Sequence, residues 1–194
     1  MRDHLHILTE QLTLKEEASR IEWQGDSWRL RVVNLRLPDG STLEKEVIDH
    51  TGSVVVVPFQ GDQILMIRQY RLSLGETILE LPAGTREEGE EWMACAQREL
   101  QEEAGCRAEK WQPLGKIWPA PGLTNELMAV YLAQELSADP LPADADEQIE
   151  VVSLPIQKVV TMALDGRLQD AKSIVAILRA IAYLELERSS ETDP

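Results

Sequence analysis

Seven glutamates and a single basic residue, Arg98, fall between Glu87 and Glu103. Three of the seven, Glu99, Glu102 and Glu103, stand at i, i+3 and i+4, and at about 100° of rotation per residue they leave one face of a helix as a carboxylate cluster. Like charges four residues apart destabilise a helix by roughly 0.2–0.5 kcal/mol per pair, and a face that merely meets water normally intersperses Lys or Arg among them. The cluster therefore asks for a cation. Hard oxygen donors, in a site with no paired His or Cys, suit Mg²⁺ or Mn²⁺ better than zinc. Glycines bracket the stretch. Gly84 is placed to turn a loop into the helix, and Gly105 to end it in a left-handed conformation.

A carboxylate helix needs strands to hold it. Ser53 to Phe59, SVVVVPF, reads as a buried strand, Gly61-Asp62 as a turn, and Gln63 to Tyr70 as a returning strand. Thr77 to Leu81 is a third, feeding directly into Pro82-Ala83-Gly84, so strand, loop and helix follow in the order that a ligand site at a strand end requires. Beyond the helix, Trp111 to Trp118 and Leu127 to Gln134 read as strands separated by the loop from Pro119 to Glu126. An acidic loop covers residues 137–148. Ile149 to Leu154 is a further strand, and Pro155 opens a helix to about Leu164. Asp165-Gly166 breaks it, and Asp170 to Arg188 forms a last helix with an apolar stripe at Ile174, Ile177, Leu178, Ile181 and Leu184.

Upstream, WRLRVVNLRL from Trp28 and STLEKEVIDH from Ser41 alternate as strands around the turn Pro38-Asp39-Gly40. Residues 1–20 fit either a first strand or a loose arm. A hairpin of this kind stays marginal unless its apolar side is covered, which a partner subunit could do. The expected division is an N-terminal β subdomain over residues 1–50, suited to dimerisation, and a main domain over residues 51–194. Its fold class is α+β, a sandwich of mixed strands and helices.

Composition narrows the partners. Nineteen basic against 34 acidic residues give a net charge of −15, which makes a nucleic-acid backbone a poor ligand. The first fourteen residues are polar and charged, unlike a signal peptide, and no apolar run approaches the ~18 residues of a membrane span. A soluble, cytoplasmic protein is expected. Cys95 and Cys106 are the only cysteines, and they read as reduced structural thiols.

The spacing Gly84, five residues, Glu90, seven residues, then Arg98-Glu99-Leu100-Gln101-Glu102-Glu103-Ala104-Gly105-Cys106 matches every fixed position of the Nudix box. The chain thus resembles the Nudix hydrolases. Outside the box, Arg68-Gln69-Tyr70-Arg71, the run from Leu79 to Gly84, Pro121 fifteen residues after Cys106, the run from Asp146 to Val151, and Asp170-Ala171-Lys172 resemble the ADP-ribose pyrophosphatase branch. This resemblance implies the Nudix fold, mixed sheets sandwiched by helices. It implies divalent-metal-dependent cleavage of ADP-ribose to AMP and ribose 5-phosphate, with Mg²⁺, or alternatively Mn²⁺, as cofactor.

By the same resemblance, Glu99 and Glu103 ligate metal, Glu102 assists, and the carbonyl of Ala83 completes the shell. Gly84, Glu90, Arg98 and Gly105 are structural in the box, Arg98 pairing with Glu90 or Glu102. Glu147 is the expected general base, with Glu150 as the fallback. Arg71 would contact phosphate or ribose, and Thr85 would join the substrate contacts. Glu80 would hold a sugar hydroxyl or an arginine. Trp28 would stack on adenine, and Glu46 would accept its amino group. Where some relatives carry a second stacking aromatic this chain has Lys45, a departure that keeps GDP-mannose or a UDP-sugar open as the substrate. The branch also implies a C2 homodimer with sites shared between subunits. A silent nucleotide-sensing domain is the remaining alternative, and the intact glutamates speak against it.

Overall fold

The computed structural model describes residues 14–142 and 148–191. Its contacts form two units, the chain through His50 with Ala120–Asn125, and Thr51–Pro119 with the chain from Glu126.

The first unit is a three-stranded antiparallel sheet, ordered β1 (Lys15–Gln24), β2 (Trp28–Arg36), β3 (Thr42–His50). The chain N-terminal to β2, which the sequence leaves as strand or arm, is therefore a strand from Lys15 on. Between β2 and β3, Gly40 takes φ 86° and Asp39 Oδ1 accepts the Ser41 N–H at 2.9 Å, the local side-chain bond expected of an Asp in a turn. Every residue of β1 is exposed, whereas Val32 and Val33 on the central strand are buried. Charge ladders cross the strands: Arg31 reaches Asp49 at 3.0 Å and Glu16 at 2.8 Å, and Arg20 reaches Glu44 at 2.8 Å. The segment Ala120–Asn125 straps onto β3, with the Ile48 N–H donating to the Leu123 carbonyl at 3.0 Å and the His50 N–H to Asn125 Oδ1 at 2.8 Å.

The second unit contains β4 (Ser53–Gln60), β5 (Gln63–Arg71), β6 (Glu76–Glu80), β7 (Ala83–Thr85), α1 (Trp92–Ala104), β8 (Cys106–Ile117), β9 (Met128–Ala138), β10 (Ile149–Pro155), α2 (Ile156–Asp165) and α3 (Ala171–Glu191). Its sheet runs β10-β5-β4-β9-β8, with β6 on β5 and β7 on β4. Only β4 and β9 pair in parallel; the other pairs are antiparallel.

The unbroken apolar run of β4 has a simple cause: both faces are covered. Val55, Val57 and Phe59 enter a core with Val159, Leu168, Ala176, Ile177 and Ala180 from the C-terminal helical region, while Val54 and Val56 pack with Cys95, Ala96 and Leu100 of α1. Each fully buried aliphatic side chain there contributes roughly 1.5–3 kcal/mol, so β4 is the axis of the unit.

Two details differ from the sequence reading. β8 begins at Cys106, five residues before the expected start, because Gly105 in the left-handed conformation (φ 65°) turns the chain straight from helix to strand. The alternation of β8 is masked by charge on a strand at the edge of the sheet. On α3 the stripe faces the core as read, Ile177 fully buried and Ile174, Ile181 and Leu184 packed against it beside the small residues Ser173, Ala176 and Ala180, but Leu178 at its margin is 37% exposed. Trp111 packs edge-on against Tyr131, and Trp118 is 65% exposed. Among the described residues no helix is long and apolar enough to cross a membrane.

Candidate active site

The buried face of α1 carries Cys95, Ala96, Glu99, Leu100 and Glu103, so two carboxylates lie on the same side as the apolar residues. Burial of charge is costly unless hydrogen bonds or ions answer it. Glu103 Oε2 accepts the N–H of Ala83 at 2.7 Å. Glu99 lies flat against Gly84, where a Cβ would fall 2.0 Å from its carboxylate carbon. Glycine is required there for space. Gly84 sits in β7, outside the positive-φ glycines, and Gly89, at φ 80°, makes the turn before the helix, which corrects the turning role expected of Gly84.

Glu102 is the more exposed member of the cluster. On a helix it stands about 100° from Glu103, and its carboxylate meets Arg98 Nη1 at 2.8 Å. Nη1 of Arg98 also lies 2.7 Å from Glu99 Oε1, so the three carboxylates stay together on one side of α1, the buried pair Glu99 and Glu103 with Glu102 beside Glu99 at the rim. Among the described residues no three His, Cys, Asp or Glu side chains converge as a ready metal cage.

Arg98 is the organiser of this corner. Its Nε and Nη2 donate to the two oxygens of Glu90 at 3.0 and 3.1 Å, Nη1 lies 2.7 Å from Glu99 Oε1, and Nη2 also donates to the carbonyl of Thr85 at 3.1 Å. Hydrogen bonds from Arg98 hold the Glu90 carboxyl below its ordinary range, and those to Glu90 lead the causes that raise the Arg98 guanidinium. One guanidinium therefore joins Glu90, in the loop after β7, to Glu99 and Glu102 of the helix. Cys95 and Cys106 are free and buried; burial leads the causes raising Cys95 and pushes Cys106 up to about 11, so both are thiols at neutral pH.

The strand pair β5–β6 supplies a second cluster. Glu80 is wholly buried, and Arg71 grips both of its oxygens, Nε to Oε1 at 2.8 Å and Nη2 to Oε2 at 2.9 Å. Lys172 joins the same carboxylate. Of the two roles read for Glu80 from the sequence, it is an arginine that it holds. Burial opposes the charge on Arg71, but Glu80 and the fields of Glu103 and Asp170 outweigh it and leave the guanidinium pKa raised, so Arg71 lies within electrostatic reach of the α1 carboxylates.

Glu150 is 63% exposed and paired with Arg68 at 2.8 Å. In register, Glu150 and Leu79 flank Arg68 while Glu80 pairs with Ile67, and since side chains alternate, Glu150 stands on the sheet face opposite Glu80. Glu147 lies outside the described residues. Trp28 and Glu46 belong to the N-terminal sheet. Trp28 is 42% exposed, its ring 4.4 Å from that of Trp23, and Glu46 is exposed opposite Val32. Trp23 was not singled out by sequence. Its signal is Gly25, where a Cβ would strike the Trp23 ring at 2.2 Å.

The NUDIX domain family model matches residues 49–176. The chain is 32% identical over 185 residues to the methanol dehydrogenase activator of Bacillus methanolicus, covering 94% of this chain and 96% of that protein. It is 34% identical over 163 residues to the ADP-ribose pyrophosphatase of Bacillus subtilis (strain 168), covering 82% and 86%. A solved structure described as an ADP compounds hydrolase superposes with a TM-score of 0.80 at 22% identity, covering 92% of this chain and 98% of that one, which shows the shared fold.

Proposed function

The chain belongs to the Nudix family, and on that premise we propose that it is a divalent-metal-dependent pyrophosphohydrolase splitting ADP-ribose into AMP and ribose 5-phosphate. The observation that carries the reading is the pair of buried carboxylates, Glu99 packed flat on Gly84 and Glu103 on the Ala83 N–H. The donor set fits Mg²⁺, which is commonly held by one or two carboxylates with substrate phosphates and water making up the rest, so the lack of a complete side-chain cage is no obstacle. Glu99, Glu103 and the carbonyl of Ala83 would hold the ion, with Glu102 assisting beside Arg98. Bound there, it would neutralise pyrophosphate oxygens and lower the pKa of a water.

The chain's own residues supply the rest. Arg98 and Glu90 keep the carboxylates in place. Arg71, anchored by Glu80, offers its remaining donors to a phosphate, and Thr85 lines the same loop. Glu147 takes the proton of the attacking water, a contribution of about 10²–10⁴-fold; the outward placement of Glu150 supports Glu147 over it. Trp28 stacks on the base, worth on the order of 1–3 kcal/mol, with Glu46 accepting the adenine amino group. The N-terminal sheet, with Ile21, Trp23, Trp28 and Leu43 exposed, supports a homodimer in which both subunits furnish each site. The protein works in the cytoplasm, on a small nucleotide substrate.

The test is turnover of ADP-ribose, GDP-mannose, UDP-glucose and NADH by chelated protein with and without Mg²⁺, products separated by chromatography. Metal-dependent release of AMP from ADP-ribose, in preference to the others, is the expected result. Preference for a guanine or uracil nucleotide would keep the metal chemistry and remove the adenine assignment, and no turnover would sink the enzyme reading. The match over 94% of the chain to a methanol dehydrogenase activator favours a second reading, tested by adding the protein to purified methanol dehydrogenase and following its rate.

A further inference from the structure

Asp170, Ala171 and Lys172 lead into α3, and none of them has a role so far. The Lys172 ammonium lies on Glu80 Oε2 and 2.9 Å from Asp170 Oδ2, with its side chain only 13% exposed. Asp170 is itself held by the Ser173 N–H at 3.1 Å and by the Ser173 hydroxyl, while that hydroxyl's oxygen accepts the Leu81 N–H at 2.7 Å. One turn of α3 thus grips two successive residues, Glu80 and Leu81, just before β7, which carries Ala83 and Gly84.

The charges need accounting. Glu80 is fully buried, and Arg71 alone would neutralise it. Lys172 adds a second cation to the same carboxylate, and Asp170 balances that lysine from its far side. Arg71 has committed Nε and Nη2, and its side chain is 35% exposed.

We infer that Lys172 is a positioning residue: by holding the Glu80 carboxylate, with Asp170 balancing its own charge, it fixes the edge that Arg71 presents to an anionic substrate. This rests on the reading of Arg71 as the phosphate contact. Lys172 acts only through Glu80 and Arg71, which gives the inference a distinctive signature.

The experiment is a set of calorimetric titrations of ADP-ribose into chelated protein, so that no turnover intervenes, with KM and kcat then measured with Mg²⁺. K172M is expected to weaken ADP-ribose about tenfold, the scale of one charge-assisted hydrogen bond, in Kd and KM alike, while kcat stays within about threefold. K172R should restore most of the loss. In an R71A background K172M should add less than about twofold, since interacting residues are non-additive. Independent, additive losses, or a K172M defect in kcat alone, overturn the inference. Should K172M fail to fold, E80Q and E80Q/K172M carry the test, because with the buried charge gone the lysine has no carboxylate to hold; a further loss beyond about twofold on adding K172M to E80Q overturns it equally. If wild type neither binds nor cleaves ADP-ribose, the functional reading falls first, and the same cycle run on the nucleotide sugar it does cleave judges Lys172 separately.

Discussion

Arginine–glutamate pairs occur in both units, and they do different work. On the N-terminal sheet Arg20 meets Glu44 at 2.8 Å with both side chains more than half exposed. On α1 Arg98 meets Glu90, Glu99 and Glu102 at 2.7–3.0 Å with the glutamates between 9% and 20% exposed. The distances are alike; the dielectric is not. In water such a pair is worth ~0–1 kcal/mol, and its geometry is one of many, whereas partly desolvated charges are held in one arrangement because leaving any of them unpaired would cost several kcal/mol. The sheet uses charge to remain soluble along an exposed strand, and the helix uses charge to fix where two further carboxylates sit.

The comparison is tested hardest at its buried end. Glu103→Gln keeps an acceptor for the Ala83 N–H but removes a negative ligand, so turnover should fall by about 10³-fold or more with the melting temperature nearly unchanged. Normal turnover would remove Glu103 from the metal site. Gly84→Ala places a methyl 2.0 Å from the Glu99 carboxylate carbon. The carboxylate or the strand must shift, at a cost of roughly 1–3 kcal/mol, and activity should drop about 10²-fold because a displaced ligand is worth most of a missing one. A fully active Gly84→Ala enzyme would show that the glycine has no spatial duty.

Much of this was legible because local chemistry and global packing agree. SVVVVPF could only be a strand covered on both faces, Gly105 did end the helix in a left-handed residue, and the fixed spacing of the box placed Arg98 beside Glu90. The misreadings share a cause: they depended on which neighbour arrives from far along the chain. Gly84 was read as a turn because sequence shows a glycine's freedom and not the carboxylate fifteen residues later that takes the place of a Cβ. Lys172 lies 92 residues from Glu80, beyond any periodicity. Trp23 was hidden by the irregularity in β1 between Ile21 and Trp23, which breaks the alternation that would have set it on a face.

A smaller effect lies at the edge of the buried network. The Glu90 carboxyl is held below its ordinary value near 4.5 by Arg98. A carboxylate with a depressed folded-state pKa lends stability that is fully present above the unfolded value and disappears as pH falls through the folded one. Wild type should therefore melt above Glu90→Gln at pH 7, and the gap should close progressively below pH ~4.5. A gap that persists unchanged at pH 3 would assign the effect to shape and not to charge.

The smallest effect belongs to the exposed end. A double-mutant cycle on Arg20 and Glu44 should return a coupling close to zero that vanishes in 1 M salt, where the Debye length is about 3 Å. Both side chains must be immobilised to meet, and water solvates each of them nearly as well apart. A clear coupling that survives 1 M salt would mean that the pair is desolvated in solution, although each side chain is more than half exposed in the single chain. Only a covering surface could do that, and the same result would then favour the dimer: repeating the cycle across protein concentrations separates the two, because a coupling created by a second subunit weakens on dilution while an intrinsic one does not.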